Sequence, residues 1–204
     1  MLHESLYHLR EEFRRYAKEQ APDIFAFCGD ALFADHEENT PTATVLSAVE
    51  QIHRLQNRTS IATQNLFEAV LDASSHLHWK HSYTTDDAGI DQNHLDNYGW
   101  FNLIAPSGPF VSDTMRLSVG YWGKGLTYPN HWHEPEEIYL TIAGSALYIS
   151  EGREPINGGP GTTICHYSNQ PHSADFADEP LLAAAFWRGR NLEKKSVLEN
   201  LDGT

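Results

Sequence analysis

The sequence predicts a mainly-β domain, an antiparallel sandwich or barrel, with a helical segment ahead of it. Two observations carry that expectation. Over the first third of the 204 residues, apolar side chains recur at three- and four-residue steps, the spacing of one helix face. From about Trp79 onward Gly, Pro, Asn and Asp become frequent, and short runs alternate with period two, as strands separated by turns do. The expected division is a helical segment over residues 1–80 packed on the β domain, the β domain itself over 81–190, and a charged tail over 191–204.

The first helix is read from Leu2, Leu6, Leu9, Phe13 and Tyr16, which share a face, with Arg10, Glu11, Glu12, Arg14 and Arg15 on the other side. A second is expected to start near Thr40-Pro41, a capping hydroxyl followed by proline at the first helical position, and to bury Val45, Val49 and Ile52. A third, after Ser60, sets Leu66, Val70, Ala73 and Leu77 in a stripe. These stripes need cover, and the natural candidates are each other and the outside of the β domain. Among the strands, residues 114–122 alternate Met115, Leu117, Val119 and Tyr121 against Arg116, Ser118 and Gly120. Residues 137–150 read as two strands around Gly144, and 181–187 as a mostly apolar final strand.

Charge narrows the partners. With 28 acidic against 14 basic residues the formal net charge is -14, which repels phosphate backbones and anionic membrane surfaces. Nucleic acid and membrane are therefore not expected as partners. No apolar run is long enough to span a bilayer, and the start of the chain lacks a basic-then-apolar leader, so the cytoplasm is the expected location. Cys28 and Cys165 form no CxxC and read as buried free thiols. The Gly158-Gly159-Pro160-Gly161 run lacks the Lys-Ser/Thr of a phosphate loop and reads as a hairpin turn. There is no GxSxG elbow.

Four of the 12 histidines, His131, His133, His166 and His172, fall in one part of the chain. In a strand His131 and His133 point the same way, and after a turn at Glu134-Pro135-Glu136 a second strand carries Glu137 and Tyr139 on one side. Two imidazoles, a carboxylate and a phenol can thus converge, a nitrogen/oxygen set for one divalent transition metal: zinc first, with iron, manganese or nickel as alternatives. A lone HxH is often just two surface histidines. Here the spacing from Gly125 through His131, His133 and Glu137 to Gly144 adds to it.

That spacing resembles the first cupin motif, G(X)5HXH(X)3E(X)6G, at every fixed position. Gly161 and the Pro171-His172 pair resemble the second motif, with Phe176 where its trailing asparagine stands. The resemblance implies a cupin barrel (a double-stranded β-helix, or jelly roll) and His172 as a further ligand; His166, in mid-strand, competes for that place. More narrowly, Tyr128, His131, His133, Glu137, Tyr139 and the late Trp187, behind an N-terminal helical part, resemble the cupin-type dimethylsulfoniopropionate lyases. The implied reaction is cleavage of dimethylsulfoniopropionate (DMSP) to dimethyl sulfide and acrylate by β-elimination. By the resemblance His133, Glu137, Tyr139 and His172 hold the metal, and Tyr139 takes the alpha proton. His131 is either a ligand or a substrate contact.

The aromatic residues suit such a substrate, because a sulfonium is a soft cation that aromatic faces attract. Tyr121, Trp122, Tyr128, Trp132 and Trp187 lie on or beside the motif strands. Of these Tyr128, Trp187 and Trp122 are the expected pocket residues, while Tyr148 and Tyr167 are read as structural. The expected partner is a small zwitterionic or carboxylate substrate. Oligomeric state is open, with a homodimer through the strands the assembly common among cupins. Two other readings are an iron-dependent cupin dioxygenase and a non-catalytic small-molecule-binding cupin, because one fold hosts many functions.

Overall fold

A computed structural model describes residues 1–199; the end of the expected tail, residues 200–204, lies outside the described residues. The first apolar stripe forms α1 (Glu4–Glu19), whose N-cap His3 accepts from the Ser5 amide and whose inner face buries Leu6, Leu9, Phe13 and Tyr16. A short α2 (Pro22–Cys28) opens with its proline in the first turn. The third stripe becomes α3 (Gln64–Ala73), packed on α1, with Leu66, Val70 and Ala73 buried. A last short helix, α4 (Gln92–Asp96), is capped by Asp91, which accepts from the His94 amide.

The second expected helix is corrected. Thr44 is captured in a parallel bridge with His78, its amide donating to the Leu77 carbonyl and its carbonyl accepting from Trp79, so the chain runs extended there. A 3₁₀ helix then spans Ser47–Leu55 and turns Ala48, Ile52 and Leu55 inward, leaving Val45 exposed and Val49 half-buried. Tertiary pairing has overridden the capping signal at Thr40-Pro41.

The strands are β1 (Glu37–Glu38), β2 (Tyr98–Ala105), β3 (Phe110–Val111), β4 (Met115–Trp122), β5 (Thr127–Trp132) and β6 (Glu136–Gly144), followed by β7 (Ala146–Ser150), β8 (Ile156–Gly158), β9 (Thr163–His166), β10 (His172–Asp175), β11 (Leu181–Arg188) and β12 (Val197–Leu198). They form two sheets, one in the order β1-β3-β2-β4-β11-β6-β9 and one in the order β12-β5-β10-β7-β8. All pairs are antiparallel except β2 with β3, which is parallel.

The closed double-stranded β-helix barrel expected from the cupin motifs is therefore corrected. Among the described residues no ladder joins the two sheets, and each keeps open edges. The chain passes from one sheet to the other at corners where ladder bonding stops: Pro135 between β5 and β6, Gly144-Ser145 between β6 and β7, and Pro171 between β9 and β10. Proline cannot donate to a ladder.

Gly144 is required at its corner. It sits at φ +77°, and a Cβ there would lie 1.9 Å from the Pro180 carbonyl oxygen. Gly144→Ala should cost about 2 kcal/mol or more of unfolding free energy, read from denaturant midpoints. A change below a few tenths would contradict this close approach.

The larger sheet is buried on both faces. Met115, Leu117, Val119 and Tyr121 of β4 join Phe13, Phe67 and Val70 in the core between the helices and the sheet. The opposite face of the sheet carries a second cluster that includes Tyr98, Trp122, Tyr128, Tyr139 and Trp187. Each large side chain so buried contributes about 1.5–3 kcal/mol against leaving it in water. Cys28 is buried as expected, whereas Cys165 is exposed, because on β9 it points away from its buried neighbour His166. No helix among the described residues is long and apolar enough to cross a membrane.

Candidate metal centre

The register of the sheets assembles the site. On β5 His131 lies opposite His172 of β10, and on β6 Glu137 lies between Trp187 of β11 and His166 of β9. His131, His133, Glu137, His166 and His172 are all buried. Potential ligand atoms of His131, His133 and His172 lie within 4.8 Å of one another, as do those of Glu137, His166 and His172.

Three of the imidazoles are oriented by one device. His131 Nδ1 contacts the Pro129 carbonyl at 2.8 Å, His133 Nδ1 the Pro135 carbonyl at 2.9 Å, and His172 Nδ1 the Gln170 carbonyl at 2.8 Å. A carbonyl only accepts, so Nδ1 carries the proton in each ring and Nε2 presents a lone pair. The Nε2 atoms of His133 and His172 are buried without a hydrogen-bond partner, and they lie 3.4 and 3.3 Å from Glu137 Oε2. Buried polar atoms left unpaired are rare, and two of them converging on one carboxylate have the donor chemistry of a cation site. The residues present fit one divalent metal ion.

Glu137 is held from every side. His166 Nδ1 donates to its Oε2 at 2.9 Å, while His166 Nε2 accepts from Ser150 Oγ at 3.1 Å. Trp187 Nε1 donates to Oε1 at 2.5 Å. Burial pushes the Glu137 carboxyl upward, but the imidazoles around it, His133 first and then His166 and His172, outweigh it and hold the group well below the usual range. Burial, reinforced by His172, drives His131 well below the usual imidazole value, so it is neutral near pH 7.

Beside this cluster lies a cavity of about 250 Å³, lined by His131, Glu137, Tyr139, Tyr128, Trp122 and Trp187, with Arg116 and Trp100. Small residues keep it open: Ser118 and Gly120 of β4 and Ala183 and Ala185 of β11 line it too. The Tyr139 ring centroid is 5.6 Å from that of His166 and 6.4 Å from that of His172. Burial first, then the Glu137 charge, raises the Tyr139 phenol well above its ordinary value, so without a cation it keeps its proton. Tyr128 stacks on His131 at 4.0 Å, and its hydroxyl is 3.0 Å from that of Tyr83. Trp122 packs against Tyr128 and Phe176.

Trp187 lines the cavity, but its ring is covered: His133 stacks at 4.0 Å and the Arg116 guanidinium carbon sits at 3.5 Å. Two groups that close to one ring must take opposite faces. Tyr121 faces the helices rather than the cavity, and Trp132 lines a separate depression with Glu134 and Pro135. Tyr148 bonds Thr141 Oγ1 at 2.7 Å, and Tyr167 is exposed.

The sequence model of the dimethylsulfoniopropionate lyase family matches residues 18–183. The chain belongs to that family. It is 36% identical over 145 residues, 71% of each chain, to the dimethylsulfoniopropionate lyase DddQ of Ruegeria pomeroyi. Its fold is similar to a crystal structure from work on the DMSP lyases RdDddP and RnDddQII, with a TM-score of 0.88 and 32% identity over 96% of this chain and 98% of that one. The crystal structure of the Ruegeria pomeroyi enzyme superimposes with a TM-score of 0.84 and 29% identity, covering 98% of both chains. This family member is thus a metal-binding lyase of the cupin superfamily.

Several lining residues were not singled out from sequence. Tyr83, Tyr98 and Trp100 carry no motif, although Tyr98 and Trp100 alternate on one face of β2. The alternation over residues 114–122 sets Arg116 opposite the apolar face without marking it as a site residue, and His166 enters only as a competitor of His172.

Proposed function

We propose that this chain cleaves dimethylsulfoniopropionate to dimethyl sulfide and acrylate by β-elimination, with Tyr139 as the base. Supporting this are the unpaired Nε2 atoms of His133 and His172, aimed at Glu137 beside a cavity that Tyr139 lines, in a chain of this family. His133, Glu137, Tyr139 and His172 would hold the ion, zinc first, with His131 as a further donor or a substrate contact. When bound, the ion supplies positive charge that lowers the phenol's pKa and stabilises enolate-like charge on the substrate carboxylate.

The Tyr139 oxygen takes the proton alpha to the carboxylate. The electron pair of that C–H bond becomes the new double bond as the Cβ–S bond breaks, and sulfur leaves as neutral dimethyl sulfide. Tyr128 and Trp122 form the aromatic wall for the sulfonium, each contact contributing on the order of 0.5–2 kcal/mol. Trp187, with both faces covered, orients Glu137 through its N–H.

Headspace gas chromatography of the purified chain with the substrate should detect dimethyl sulfide, and a chelator should abolish it. No release from metal-loaded protein would sink the substrate assignment. Oxygen uptake on small carboxylates would then favour the dioxygenase reading.

A further inference from the structure

We infer that Arg116 gives the substrate's carboxylate a second cationic contact beside the charge the ion supplies, an inference that rests on the reading of this cavity as the lyase site. Arg116 is only 9% exposed and lines the cavity. Its Nη1 donates to the Leu192 carbonyl at 2.8 Å, while Nε is buried with no acceptor. Among the described residues no carboxylate lies within 4.0 Å of it as a salt-bridge partner. Glu137, which lines the same cavity, acts on Arg116 by charge but forms no salt bridge with it, and a buried cation is costly to keep without a direct counter-ion.

Orientation supports the same assignment. A guanidinium resting on the Trp187 indole keeps its N–H edge free for partners in its own plane, the geometry that takes a carboxylate with two parallel hydrogen bonds. Along the sheet Arg116 pairs with Trp187 and Trp187 with Glu137, so the guanidinium and the metal cluster border one cavity two strands apart. The next row in register carries Ser118, Ala185 and Tyr139, and its two small side chains leave open the space between Arg116 and the phenol. A short acid anchored at Arg116 would present its alpha carbon toward Tyr139. Lys80 and Lys194 line the same cavity, together with Glu193 and with Lys195, which is paired to Asp87 at 2.6 Å.

The test has two independent arms. In the metal-loaded enzyme, Arg116→Gln should raise the KM for dimethylsulfoniopropionate about 10- to 100-fold, the scale of a lost charge-assisted hydrogen bond, with a smaller change in kcat. Wild type should prefer the free acid over its methyl ester by a similar factor, and the variant should lose that preference. Separately, isothermal titration of propionate into metal-free protein should show binding in wild type and none in Arg116→Gln. An unchanged KM with the ester preference kept, or unchanged propionate binding, would overturn the assignment. If wild type releases no sulfide, the lyase reading fails while the propionate arm still decides the role of Arg116. If circular dichroism shows Arg116→Gln unfolded, wild type decides: no propionate binding and no preference for acid over ester would also overturn it.

Discussion

Tyr139→Phe is expected to lower kcat for sulfide release about 10²- to 10⁴-fold, the range that a positioned general base contributes, in protein saturated with metal, where His133, Glu137 and His172 still hold the ion. The substitution removes one oxygen from a buried side chain whose hydroxyl has no hydrogen bond among the described residues, so little packing is lost. Burial and the Glu137 charge hold the phenol protonated in the metal-free protein. Catalysis through this oxygen therefore requires the cation, and adding metal should not rescue the variant. Metal analysis alongside headspace chromatography checks both halves. A variant that keeps full activity would remove Tyr139 as the base.

The second large effect is on metal retention. His172→Ala should weaken metal binding by more than the roughly 10- to 100-fold that outer-shell substitutions cost, and should abolish activity with it. His166→Ala should fall within that outer range, because His166 reaches the centre through Glu137 and is itself braced by Ser150. Competition with a chromophoric chelator measures both. Equal affinities in the two variants would contradict the division between an unpaired Nε2 aimed at the ion and an imidazole that only supports the carboxylate.

What could be read beforehand divides by physical cause. The convergence of His131, His133 and Glu137 is legible because strand parity and a short turn constrain it locally, whereas His172 enters only through the resemblance to the second cupin motif. The placing of His166 is not legible, since only the register of β9 on β6 sets it opposite Glu137. Arg116, Ser118 and Gly120 are set only as the face opposite Met115, Leu117, Val119 and Tyr121, because alternation marks two faces without saying what covers each. Here both are covered, one by helices and one by the cavity cluster. The closed cupin barrel is what the motif resemblance implies, and the ligand spacing itself is a narrower signal. It encodes where side chains meet, and it leaves open whether ladder bonds continue around the corners at Pro135, Gly144 and Pro171. In the N-terminal part, helix periodicity located α1 and α3, but the bridge at Thr44 involves residues more than thirty positions away, and no local signal near Pro41 reports it.

The central claim is that one divalent ion in the His/Glu cluster is required for cleavage. Metal-free protein should be titrated with zinc, and separately with iron(II), manganese and nickel, while dimethyl sulfide release is followed. The account predicts no release at zero metal and activity that rises linearly to a break at one ion per chain. Release from rigorously metal-free protein, or a fully loaded site with no release, would contradict it.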